Sequence, residues 1–185
     1  MPISQIVTNS IASGQTITSP VIAGTPTGVG VLTSGTVVTA SGTSISFTDI
    51  PSWVKRVTVM FNNVSLSTTA SYLIQIGNTT PTTSGYSSIA AYSTNAVGYG
   101  ALTSASGFVA QAGDPAYQIF GSLTINNLSG NIWVASGTFG NLQNTAYGMN
   151  SSGIVTLGST LNMVRITTTN GTDTFDAGTI NILYE

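Results

Sequence analysis

Asp173 and Asp176, in Asn170-Gly171-Thr172-Asp173-Thr174-Phe175-Asp176-Ala177-Gly178, form the closest acidic pair in the chain. Glycoside hydrolysis needs two carboxyl groups on either side of the scissile bond, and spacing in sequence alone does not supply that arrangement. The same residues suit a loop between two strands in which aspartate side chains accept main-chain N–H bonds. A calcium site would need about six oxygen ligands, and the segment matches no EF-hand or RTX repeat, so no metal is assigned. Serine is abundant, but a nucleophilic serine needs a neighbouring base. The chain has no histidine and no cysteine, which removes the Ser-His-Asp triad and thiolate chemistry. Lys55 could serve a Ser–Lys dyad, yet its place beside Arg56 at a strand start suits a solvated pair. The glycines of Gly24–Gly35 are uncharged and precede no helix, so they read as turns and linkers, not as a phosphate-binding loop. The expectation is a non-enzymatic protein with no catalytic residue, no cofactor and no metal.

Composition points the same way. Of 185 residues, three are basic and five acidic, so 4% are charged and the net charge is -2, against about 25% charged in an ordinary soluble domain. Ser, Thr, Asn and 21 glycines fill the difference, which predicts a neutral polar surface. Only Lys55, Arg56 and Arg165 could neutralise phosphates, so nucleic-acid binding is disfavoured. A hydrophobic fraction of 41% argues against a wholly disordered chain. Residues 1–20 show no basic n-region and no apolar h-region, which predicts synthesis and folding in a cytoplasm. No run approaches the roughly 18 consecutive apolar residues of a membrane helix. A transmembrane β-barrel, whose strands share the alternating pattern, is set aside for want of a secretory signal. No membrane insertion is expected.

Two regions differ in texture. Residues 1–35 are uncharged, free of aromatic side chains and rich in Ser, Thr and Gly. Such a segment cannot bury enough surface for its own core. Ile3, Ile6, Val7, Ile11, Ile17, Val21 and Ile22 recur through it, which a bare spacer does not need. They predict an extended arm that docks on a partner by strand addition.

From residue 36 to 185 the apolar residues alternate, with turn residues every 8–12 positions or so, the pattern of an all-β sandwich. In Trp53–Phe61 the side chains of Trp53, Val57, Val59 and Phe61 share one face, and those of Val54, Arg56, Thr58 and Met60 the other. Strands are also expected at 72–76, 117–128, 132–139, 153–157, 162–168 and 179–184. Weaker patterns occur at 36–39, 44–47, 88–92 and 101–109. Asn126-Asn127 with Ser129-Gly130 predict a hairpin turn, and Asn170-Gly171 a tight positive-φ connection. Eight or more antiparallel strands of this length pack as two sheets, giving a jelly-roll-like antiparallel β-sandwich preceded by the arm.

Between Gly85 and Gly113 the chain is rich in aromatic and amide side chains. Tyr86, Tyr92, Asn95, Tyr99 and Phe108 are candidates for contact with a neutral glycan or with another subunit.

The run Ser46-Phe47-Thr48-Asp49-Ile50-Pro51-Ser52-Trp53-Val54-Lys55-Arg56-Val57-Thr58-Val59, the segment Trp133-Val134-Ala135-Ser136-Gly137, and Val164-Arg165-Ile166-Thr167 followed by 171–185 resemble the β-domain of tailed-phage virion proteins of the tail-fibre type. The resemblance covers about residues 36–185. It implies a structural protein of a virus particle, commonly homotrimeric, attached to other virion proteins through its N-terminal part. The expected function is a tail-fibre or attachment-appendage component that oligomerises through its sandwich and touches host glycan, with binding strengthened by avidity. A capsid decoration protein stabilising the phage head is the alternative, and a glycan depolymerase the third reading.

Overall fold

The computed structural model describes residues 31–94, 98–110, 114–141 and 147–185. They form thirteen strands and, among the described residues, no helix. In chain order these are β1 (Thr33–Ser34), β2 (Val38–Thr39), β3 (Ile45–Phe47), β4 (Arg56–Leu66), β5 (Tyr72–Gly77), β6 (Ser87–Thr94) and β7 (Tyr99–Ser104). They continue with β8 (Phe108–Val109), β9 (Ile119–Ser129), β10 (Ile132–Asn141), β11 (Tyr147–Thr156), β12 (Met163–Thr168) and β13 (Phe175–Tyr184). All pairings are antiparallel.

The strands divide into a large sheet, β1-β13-β4-β9-β10-β11-β6-β7 with β2 also on β13, and a small sheet, β3-β12-β5-β8. Four of the pairings are nested: β2 with β13, β3 with β12, β4 with β9, and β5 with β8. A long hairpin of this kind, folded over so that β13 also pairs with β4 and β12 with β5, is a jelly roll. The two hairpins β6–β7 and β10–β11 are additions that lengthen the large sheet. The expected jelly-roll-like sandwich is the observed fold.

Its core follows from alternation. Val57, Val59 and Phe61 of β4 are buried while Arg56, Thr58 and Met60 are not, since successive side chains leave opposite faces of a strand. They meet Ile74, Ile76, Val164 and Ile166 of the small sheet in one cluster. Phe61 packs edge-on against Tyr72 and Phe139. All six residues of β5 are buried, because its outer side is covered too: Leu73 joins Val109, Ala90 and Met149 in a second, smaller cluster. The added strands β6 and β11 thus curl over the β8 edge of the small sheet.

Several expectations change. Thr33 and Ser34, assigned to the arm, pair with Tyr184 and Leu183, so the compact sandwich unit begins at Val31 and not at residue 36. The docking residues Ile3 to Ile22 lie outside the described residues. Trp53 does not start the strand. Val54 N–H bonds to the Pro51 carbonyl at 3.0 Å, and this turn buries Val54 while leaving Trp53 half-exposed against Tyr184. The 101–109 strand is two, β7 and β8, in different sheets. The Asn170-Gly171 turn has positive φ at Gly171 only, and it joins strands of different sheets, so it is no hairpin.

Candidate functional site

The acidic pair is built into a latch. Asp173 Oδ2 accepts hydrogen bonds from the Thr68 hydroxyl and, at 2.9 Å, from Ala70 N–H; Asn170 Nδ2 donates to Oδ1 at 2.6 Å. The Asn170 side-chain oxygen accepts from the N–H groups of Thr172 and Asp173 at 3.0 and 3.1 Å. This Asx geometry, and not a type I′ turn, is why Asn170 sits where it does. Asp176 accepts from the Ser65 hydroxyl. Asp173 therefore ties the β12–β13 connection to the loop after β4, and Asp176 ties the start of β13 to β4 itself. Donors from Thr68, Asn170 and Ala70, in that order, hold the Asp173 carboxyl below its usual range. A general acid needs the opposite shift.

The aromatic candidates separate. Tyr86 and Phe108 are 4% and 0% exposed, stacked edge-to-face at 5.0 Å inside the core. Neither can touch a glycan or a subunit, and the sequence assignment of these two is corrected. Their segment resembles a loop in composition, but the Tyr86 hydroxyl satisfies main-chain groups of Ile76, which makes its burial favourable. Tyr92 is half-buried against the second cluster, its ring lying over Gly100 on the neighbouring strand. Tyr99 is 92% exposed. Asn95 lies outside the described residues.

A site that the sequence did not announce lies at one end of the sandwich. The turn before β4, the β9–β10 hairpin and the loop before Leu161 enclose a cavity of about 240 Å³, lined by Lys55, Asn127, Asn131, Trp133 and Thr160 among others. Lys55 Nζ donates to Asn127 Oδ1 at 3.3 Å, while Asn127 Nδ2 closes the hairpin on the Gly130 carbonyl at 2.9 Å. The Trp133 indole N–H is buried without a partner. Lys55 and Arg56 do not act as a pair: Arg56 forms an ion pair with Glu185. Asn126 and Asn127, expected in the turn, instead lie in β9 opposite Val134 and Trp133, and the turn itself falls at Gly130. A second hollow, of about 330 Å³, lies over Leu32, Thr58, Thr124 and Leu183 beside that ion pair.

Among the described residues no group of three or more His, Cys, Asp or Glu side chains could hold a metal ion. No helix there is long and apolar enough to cross a membrane. Comparison of the chain with protein-family models, with curated proteins and with solved structures finds no match.

Proposed function

We propose that this chain is a non-enzymatic structural protein of a bacteriophage virion, of the tail-fibre or attachment-appendage type, made in the host cytoplasm. Residues from the N-terminal arm dock on other virion proteins, and the sandwich oligomerises, as a trimer, and touches host glycan. The observation that supports this reading best is the use made of the acidic pair. Asp173 and Asp176 act as hydrogen-bond acceptors that fasten loops, which suits a shell built for assembly and not for turnover. The resemblance of 36–185 to phage β-domains supplies the particle.

The test is the number of copies per purified particle, measured by quantitative mass spectrometry against the major capsid protein. A few to a few tens of copies fit a fibre or appendage. Hundreds identify a capsid decoration protein, the second reading, which the width of the sparsely charged large sheet favours because such a face suits lateral packing on a head. No detectable copies sink both. Removing residues 1–30 is expected to leave the all-β circular dichroism of the unit from Val31 onward and to abolish incorporation. The depolymerase reading requires Asp173→Asn or Asp176→Asn to abolish glycan cleavage; a change in stability alone ends it.

A further inference from the structure

The outer face of the large sheet can be read row by row from its register. One row runs Thr58, Thr124, Ser136, Ser152, Ile89, Thr103 across six adjacent strands. The next runs from Met60 through the shorter Ser122, Thr138 and Asn150 to Ala91. The charged side chains on these rows and their neighbours are Arg56 and Glu185, which form an ion pair with each other.

Low charge is general in this chain and by itself distinguishes nothing. Apolar exposure does distinguish this face. Of the nine large hydrophobic side chains exposed among the described residues, four, Ile89, Tyr99, Phe120 and Ile154, stand on it. Val134 and Ile154 are directly opposed across β10 and β11, and Ile89 is diagonal to Ile154 on β6, within reach for side-chain contact. By contrast, the small sheet shows Ser46 and the Arg165–Gln75 pair on its outer side.

We propose that this face packs against a second copy of the same chain. The inference rests on the oligomerisation part of the virion reading and narrows it: a face that meets its own copy makes a twofold pair, so this contact builds a dimer and not the trimer. A second copy fits for three reasons. Two such faces meet with no like-charge repulsion. Their hydroxyl and amide groups are each both donor and acceptor, so they pair with themselves. Six strands at about 4.8 Å spacing and three rows of outward residues make a patch of roughly 600 Å², about three quarters of the ~800 Å² that each partner buries in a stable interface. The apolar strip supplies the dry centre and the Ser, Thr and Asn residues the rim.

The test is light scattering coupled to size exclusion on the full chain at about 50 μM, beside Ile89→Lys/Ile154→Lys and, as control, Ser46→Lys on the small sheet. Ile89 and Ile154 are 46% and 42% exposed, so lysine fits each without disturbing the core. The expected result is an oligomer for the wild type and for Ser46→Lys, and a monomer with unchanged circular dichroism for the double variant. A wild-type monomer, or an oligomer that survives the double substitution, overturns the proposal. Copy number on the particle is read separately, so an oligomer absent from virions would spare this inference while refuting the virion reading.

Discussion

The Tyr86 hydroxyl stands in for a missing strand beside Ile76, accepting a hydrogen bond from its N–H at 2.9 Å and donating one to its carbonyl at 3.3 Å. β8 is too short to reach that far along β5, since it pairs only with Leu73 and Ile74. A phenol from the β5–β6 connection completes the edge instead. It binds the sequence of the added wing to the jelly roll proper.

Tyr86→Phe keeps the ring against Phe108 but leaves the buried Ile76 N–H without its acceptor. A loss of about 1–3 kcal/mol is expected, the usual cost of an unpaired buried donor, read from urea midpoints at constant m. The alkaline limb changes as well. Burial is the main reason that the Tyr86 phenol is pushed up to about 12, and burial also raises Tyr72. Tyrosines of the unfolded chain lose their protons near about pH 10. Stability is therefore intact below that pH and falls as pH rises toward 12, where the unfolded state binds fewer protons than the native one. Tyr86→Phe is expected to make that fall shallower, in thermal melts between pH 9 and 12.

The acid limb belongs to Asp173. Its folded carboxyl is held below the ordinary range, so its contribution is present above the unfolded value and is lost as pH falls through the lower folded one. Asp173→Asn is expected to lower Tm at pH 7 and to flatten the dependence of Tm on pH below about 4. The measurement is calorimetry from pH 2 to 7. A variant as steep as the wild type on the acid side would show that the latch does not depend on the charge.

What the sequence disclosed depended on whether a side chain's neighbours were local. The alternation of Val57, Val59 and Phe61 was legible because a period of two needs no partner to be recognised, and the turn at Ser129-Gly130 because its chemistry is contained within the hairpin. The first half of β11, Tyr147 to Ser152, was not legible. Its one described apolar side chain there is Met149, and Ser151 is buried because it bonds to Val109, 42 residues away. Tyr86 and Phe108 misled in the same way, since the groups that draw them inward lie on other strands. The aspartate loop was readable as turn chemistry. The Lys55–Trp133 cavity was not, because it exists only once β4, β9 and β10 are in register.

The β8 edge gives a further prediction. Val109 N–H donates to Ser88 Oγ at 3.0 Å, and Ser151 Oγ donates to the Val109 carbonyl at 2.5 Å. Two serines of the large sheet thereby close a strand edge that would otherwise be open to pairing. Ser88→Ala and Ser151→Ala are each expected to cost about 1–2 kcal/mol. Hydrogen exchange tells them apart: the Val109 amide should exchange faster in Ser88→Ala, which removes its acceptor, and much less so in Ser151→Ala, which strands only the carbonyl.

Two glycines separate the effect of backbone sign from that of close approach. Gly171 has φ +69° and open space where a Cβ would go, so Gly171→Ala meets only the left-handed penalty, about 1–2 kcal/mol for a non-glycine residue. Gly178 has φ +88°, and a Cβ there would press into the main chain of Asn62 and Asn63. The register of β13 against β4 shifts on both sides of Ala177, the second shift spanning Gly178, and Asn63 itself has φ +51°, so two irregular strands meet here with no side chain between them. Main-chain atoms cannot swing aside as the end of a long side chain can. Gly178→Ala is expected to cost more than Gly171→Ala by at least about 1–3 kcal/mol, the usual cost of overpacking, measured by chemical denaturation of the two variants side by side. Equal losses would mean that the irregular β4–β13 pairing relaxes freely around an added Cβ at Gly178.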